Sequence, residues 1–332
     1  MGRPVLGLLL VAALAGGAYL ATNFHADVRR GHDGRVQQIT IVPRADKPGA
    51  VLPGWADSTT NWPPIHIATF HFGRIDDKTL ANRQVGNVLA RLFPGFDLVA
   101  LQDVRATDRR RMVRLIDLIN SGGHAYDFAV APAVGDSAGL SYNAFVFNTA
   151  TIEIDRAMVQ HVEDPANRFR HKPLVGLFRA NGPDPSEAFT FKLINVHIDP
   201  TRATVELDLI DDVYRAVRDG RPEEDDVILL GNFATDHHPM GTAAATTDLI
   251  AAITGTPTSL SGTRTVDNIF FPRRATVEFS GRSGVVDLMR QFGLERQQAA
   301  EVTDHSPVWV QCSSYEGGSL GHVAGNTGRK AR

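Results

Sequence analysis

Four polar positions in this chain each stand at the edge of a short apolar run. Asp103 follows Leu98-Val99-Ala100-Leu101-Gln102, His197 follows Leu193-Ile194-Asn195-Val196, Asn232 follows Ile228-Leu229-Leu230-Gly231, and Asp304-His305 lies just ahead of Pro307-Val308-Trp309-Val310. The runs read as strands, and strand ends are where a sheet presents side chains rigidly to a cleft. Imidazoles and carboxylates are the side chains that move protons and bind divalent cations. Arg168, Arg170, His171 and Lys172 form a basic cluster before Leu174, suited to an anionic ligand or to a solvated face. Arg109-Arg110-Arg111 begins a helical pattern, an end unfavourable for positive charge, and reads as solvent-exposed or as a contact with an anionic surface. Taken singly, each of these residues also has an ordinary reading as a turn or surface residue.

The elements that must position them alternate between two periods. Strands are predicted from Ile65 to Phe72, Leu98 to Gln102, Tyr126 to Ala131, Asn143 to Phe147, Leu174 to Arg179, Phe189 to Val196, Val227 to Leu230, Asn268 to Phe271 and Val308 to Val310. Helices are predicted from Arg83 to Phe93, Thr107 to Asn120 and Thr204 to Arg218, the last with Val205, Leu209, Asp212 and Val213 near helical spacing. A strand-rich middle argues against a doubly wound sheet and for sheets covered by flanking helices.

Of 332 residues, 43% are hydrophobic and 21% charged, ordinary values for a globular protein, and a net charge of -3 excludes a global attraction to polyanions. The lone cysteine, Cys312, excludes an internal disulfide and a second thiolate for zinc. Val5 to Ala21 is apolar and uncharged, and its 17 residues would span about 25 Å as a helix. It reads as a signal-anchor or a signal peptide within residues 1–22, so the chain is expected to be membrane-anchored facing outside the cytoplasm, or secreted. Arginines on both sides leave the orientation open. Residues 23–64, with five prolines, read as a linker or irregular strand-bearing arm, 65–312 as one compact domain, and 313–332 as a flexible tail.

In order and spacing, these segments resemble the endonuclease/exonuclease/phosphatase superfamily in its DNase I-like branch. Ile67-Ala68-Thr69-Phe70-His71 is similar to the first core strand, Asp97 to Arg105 to the strand ending in a metal-binding carboxylate, and Asn195-Val196-His197-Ile198-Asp199-Pro200, followed by Ala203, Glu206, Leu209 and Val213, to the first catalytic histidine and its helix. Leu229-Leu230-Gly231-Asn232-Phe233 resembles the Gly-Asp-Phe-Asn motif, Val266-Asp267-Asn268-Ile269-Phe270 the strand with a buried aspartate, and Thr303-Asp304-His305 the closing motif. The resemblance implies an α/β fold, a four-layer α/β/β/α sandwich of two mixed sheets flanked by helices, hydrolysing a phosphodiester with Mg²⁺ or Mn²⁺.

Carried over, the resemblance makes His197 and His305 the catalytic histidines, Asp267 the orienting aspartate and Asp304 the acidic partner of the last motif. It puts Arg170 and His171 where related enzymes contact a phosphate backbone. The pattern is altered elsewhere: His71 replaces an asparagine, Asp103 a glutamate, Asn232 an aspartate and Ala234 an asparagine. Asp103 keeps its charge, but Asn232 cannot accept a proton from water. Asp236, His237 and His238 could lend a displaced base or form a solvated loop. With Asp103 and Asp304, His71 could make a mixed nitrogen and oxygen site suited to Mn²⁺ or Zn²⁺. The expected function is a divalent-metal-dependent phosphodiesterase or nuclease-like hydrolase, weakened by these changes, in a monomer. The alternatives are a non-catalytic descendant that keeps a phosphate-binding cleft, and a phospholipid or sugar-phosphate phosphodiesterase held near a bilayer.

Overall fold

The computed structural model describes residues 24–30, 36–43, 62–73, 77–104, 109–131, 142–236 and 249–318. The apolar segment near the amino terminus, His237, His238 and residues 319–332 lie outside them. Among the described residues no helix is long and apolar enough to cross a membrane. The chain divides into residues 1–53 and 54–332. In the first unit β1 (Phe24–Arg30) pairs antiparallel with β2 (Val36–Pro43), so the proline-containing arm carries a hairpin.

The second unit is built on two six-stranded sheets. The first uses β3 (Ile65–His71), β4 (Leu98–Val104), β5 (Tyr126–Ala129), β6 (Tyr142–Asn148), β13 (Phe279–Val285) and β14 (Val308–Cys312), in the order β13-β14-β3-β4-β6-β5. The second uses β7 (Ile152–His161), β8 (Leu174–Ala180), β9 (Thr190–His197), β10 (Val227–Asn232), β11 (Leu249–Ala251) and β12 (Asp267–Pro272), in the order β11-β12-β10-β9-β8-β7. Both are mixed, with β3–β4 and β9–β10 the parallel pairs.

Each central strand is buried on both faces and divides its side chains between two cores. In β4, Leu98 and Ala100 enter the core between the sheets with Phe145, Phe191, Leu193 and Ile228. Val99 and Leu101 face the outer core, packed against α2 (Arg83–Leu92), α3 (Arg109–Asn120), α5 (Leu288–Phe292) and α6 (Arg296–Val302). The short α1 (Asp77–Ala81) precedes α2, whose start is capped by Asn82 Oδ1 accepting from Gln84 N at 2.9 Å. On the far face of the second sheet lies α4 (Ala203–Gly220), its Ile210, Val213 and Tyr214 against Ile194, Val196 and Leu229. The result is the four-layer α/β/β/α sandwich that the resemblance implied.

Three differences from the sequence reading have physical causes. β7 and β13 were not predicted: both are edge strands, with exposed or half-buried polar positions that blur the two-residue period. The buried face of α4 includes Glu206, whereas Val205 is 54% exposed. The packed unit continues past Cys312 to Gly318, with Ser314 and Tyr315 buried and Tyr315 bridging Ala188. At Gly231, with φ of 146°, a Cβ would sit 2.0 Å from the Val196 carbonyl oxygen, so the approach of β10 to β9 requires glycine.

Candidate active site

Strand directions bring the chemistry to one end of the sandwich. β9 and β10 run parallel and pair His197 with Asn232, while β12 runs antiparallel and pairs its first residue, Asp267, with Asn232. In the other sheet the parallel pairing of β3 with β4 ends at His71 and Gln102, and antiparallel β14 begins beside them, just after His305. Asp103 sits at a register shift in the pairing of β4 with β6 and has φ of 55°. A bulge of this kind re-aims a side chain, at a backbone cost on the order of 1 kcal/mol. Ala234, just beyond β10, is also left-handed, with φ of 57°.

A polar network between the sheets fixes the strands beneath the pocket. Gln102 Nε2 donates to Thr69 Oγ1 at 2.9 Å and to Asn195 Oδ1 at 2.8 Å. Asn195 Nδ2 donates to the Leu101 and Ala144 carbonyls at 3.0 and 3.1 Å, and Asn143 Nδ2 donates to the Asn195 carbonyl at 3.1 Å. These bonds join β3, β4, β6 and β9 directly below Asp103 and His197. Removing one partner would strand the others in an apolar interior.

Eight of the predicted residues, His71, Asp103, His171, His197, Asn232, Asp267, Asp304 and His305, converge. The His71 ring lies 5.0 Å from that of His197 and 4.3 Å from that of His305, and His171 stacks on His197 at 4.2 Å. His305 Nδ1 is 2.7 Å from Asp267 Oδ2, and Asn232 Nδ2 donates to Asp267 Oδ1 at 2.8 Å. Asn232 Oδ1 accepts from Ala234 N at 3.2 Å, so both ends of this amide are engaged. Asp304 Oδ1 lies 3.7 Å from His305 Nε2 and 4.0 Å from His71 Nδ1, and Asp103 Oδ2 lies 4.0 Å from His71 Nε2. The side chain of Arg170 is exposed, and its backbone N donates to Glu206. Asp236 is engaged with Arg264 Nε at 3.3 Å and with the backbone N of Thr265 at 2.7 Å.

The imidazoles hold protons differently. Burial, reinforced by His71 and His171, pushes His197 down to about 2, so it is neutral at any physiological pH. Burial and the neighbouring His305 lower His71 as well. Burial also opposes charge on His305, but its bond to Asp267 and the charges of Asp267 and Asp304 outweigh that and raise it above the ordinary value.

A divalent cation fits the donors present. His71 Nδ1 is buried without a hydrogen-bond partner, and ligand atoms of His71, Asp304 and His305 lie within 4.8 Å of one another. Nitrogen in the set favours Mn²⁺ or Zn²⁺ over Mg²⁺.

Two contributors were not legible as such in the sequence. Glu206, fully buried, accepts from Arg170 N at 2.7 Å and from Asp199 N at 2.9 Å, tying together the segments that carry His171 and His197. An acid on the apolar face of an amphipathic helix was the signal available for it. Arg264 brings a guanidinium to the rim, where it donates to the Ala234 carbonyl at 2.9 Å and opposes protonation of His305.

No family model matches the chain. It is 26% identical over 285 residues to human deoxyribonuclease-1-like 2, covering 77% of this chain and 94% of that protein. To pig (Sus scrofa) deoxyribonuclease-1 it is 25% identical over 263 residues, covering 74% and 90%. Among solved structures, D. rerio TDP2 complexed with a single-strand DNA product superposes with a TM-score of 0.54 at 12% identity, covering 75% of this chain and 98% of that one. An endonuclease/exonuclease/phosphatase family protein from Bacteroides thetaiotaomicron gives 0.50 at 16% identity, covering 75% and 98%. At these identities the structural likenesses speak for the fold.

Proposed function

We propose that the chain, similar in sequence to deoxyribonuclease-1-like proteins and in fold to endonuclease/exonuclease/phosphatase structures, is a divalent-metal-dependent phosphodiester hydrolase of nuclease type, slowed by its altered motif. The observation that carries this reading is the 2.7 Å pairing of His305 Nδ1 with Asp267, which leaves His305 Nε2 directed to the side of Asp304 and His71. An imidazole oriented by a buried carboxylate is a proton-transfer group. His197, held neutral, suits hydrogen bonding to a phosphate oxygen better than proton donation. His71 Nδ1 and Asp304 would hold the cation, with Asp103 beside the other nitrogen of His71, and the ion when bound would neutralise charge on the phosphate and acidify a coordinated water. His171 and Arg264 offer further donors to a polyanion at the rim. The apolar segment from Val5 to Ala21 supports action at the cell envelope.

A second reading, a pocket that binds phosphodiesters without turning them over, is favoured by Asn232, whose amide is committed to Asp267 and Ala234 and cannot take a proton. One experiment separates the two. The full chain is incubated with plasmid DNA, RNA, bis-p-nitrophenyl phosphate and phospholipid, with Mg²⁺, Mn²⁺ or chelator. Cleavage of DNA that needs the metal and is lost in His305→Ala supports the hydrolase. DNA binding with no turnover, restored to turnover by Asn232→Asp, supports the second reading. Turnover that survives both His305→Ala and chelation contradicts both.

A further inference from the structure

The end of the sandwich opposite the histidines gathers carboxylates. Asp226 immediately precedes β10, whose other end carries Asn232, so about 20 Å of strand separates the two clusters. Glu278 lies just before β13, and Glu316 follows β14 in the segment that packs beyond Cys312. One carboxylate oxygen from each of Asp226, Glu278 and Glu316 lies within 4.8 Å of the other two. Glu224 and Asp225 form a second such group with Asp226.

Burial makes this cluster unlike a solvated acidic patch. Asp226 is 1% and Glu278 2% exposed, and Asp226 Oδ1 and Glu278 Oε2 are buried with no hydrogen-bond partner. The remaining bonds shape the cradle: Glu278 Oε1 accepts from Gly317 N at 2.6 Å and Glu316 Oε2 from Thr190 N at 3.1 Å. The charges acting most strongly on Asp226 are those of Glu278, Glu224 and Glu316, all of its own sign. Lys192 is close by, but its ammonium donates to the carbonyls of Arg221 at 2.5 Å and Glu224 at 2.9 Å. Burial and this repulsion push Asp226 up to about 8 and Glu278 up to about 7, so without a counter-ion the cluster resists full ionisation.

We propose that Asp226, Glu278 and Glu316 form a site for a hard divalent cation of the calcium type, which pins the segment after β14 to the start of β10. Oxygens that share a calcium ion, each at 2.3–2.6 Å, lie no more than about 4.6–5.2 Å apart, and the three carboxylate oxygens here, within 4.8 Å of one another, meet that limit. All donors are oxygens, as a hard cation requires, and exposed Glu316 opens the site to solvent. This site is independent of the histidine pocket and of any turnover there.

The test uses the full chain, stripped with chelator and titrated with CaCl₂ or MgCl₂ in calorimetry and in thermal melts, with NaCl controls of equal ionic strength. At a hundredfold excess over Kd, calcium raises Tm by about 5–10 °C in the wild type and in Asp103→Asn, whose histidine pocket is impaired. Glu278→Gln and Glu316→Gln weaken calcium binding at least tenfold and lose the rise. Should Glu278→Gln fail to fold, the exposed Glu316→Gln carries the comparison alone. A rise reproduced by NaCl, a rise kept in full by Glu316→Gln, or no rise at all overturns the proposal.

Discussion

His197 and His305 occupy one pocket under opposite electrostatic pressure, and the proposed chemistry follows from that contrast. Asp267 reaches one imidazole and not the other, and it is itself held by Asn232. In Asn232→Asp two carboxylates would face each other where an amide now donates at 2.8 Å, a repulsion that a bound cation relieves. The variant is expected to lose about 1–3 kcal/mol of stability in chelator and to gain more than the wild type from Mn²⁺ in thermal melts. Equal metal responses would contradict this role for the amide. At this scale the sequence was informative where a polar residue followed an apolar run, as with Asp103, His197, Asn232 and His305. His71 and Asp267 entered only through resemblance, because nothing local marks them.

Glu206 lies in the first turn of α4, yet its carboxylate serves the segments on either side of His197 and His171. Glu206→Ala strands two backbone donors and is expected to cost about 2–4 kcal/mol in urea unfolding, with Glu206→Gln recovering part of it. An alanine variant as stable as the wild type would remove Glu206 from the support of the site. At the end of β7, His161 has a buried Nδ1 without a partner, and burial lowers it below its ordinary 6.5. Folding therefore favours the neutral ring, so the stability it supports is present above pH 6.5 and is lost as pH falls through that value towards the depressed one. The urea midpoint should drop between pH 8 and pH 5, and less steeply in His161→Gln; identical slopes would refute the assignment. Central strands such as β4, β9 and β10 were legible because both faces are apolar, whereas edge strands β7 and β13 answer to solvent on one side and lose the pattern.

Across the whole molecule, two stacked sheets aim their strands so that residues as far apart in sequence as His71 and His305 share a pocket, while Asp226, Glu278 and Glu316 meet at the other end. The fold was readable because its strands and helices alternate along the chain in a recognisable order. The acidic cluster was not, since its members lie on loops between or beyond the predicted elements and no period links them. The central claim, that His305 and Asp267 act as one proton-transfer unit, is tested most directly by a double-mutant cycle on Mn²⁺-dependent phosphodiester cleavage. Asp267→Asn and His305→Ala should each lower kcat by about 10²–10⁴-fold, and the double variant should be no slower than His305→Ala alone. Losses that multiply, or a His305→Ala enzyme as fast as the wild type, would contradict the account.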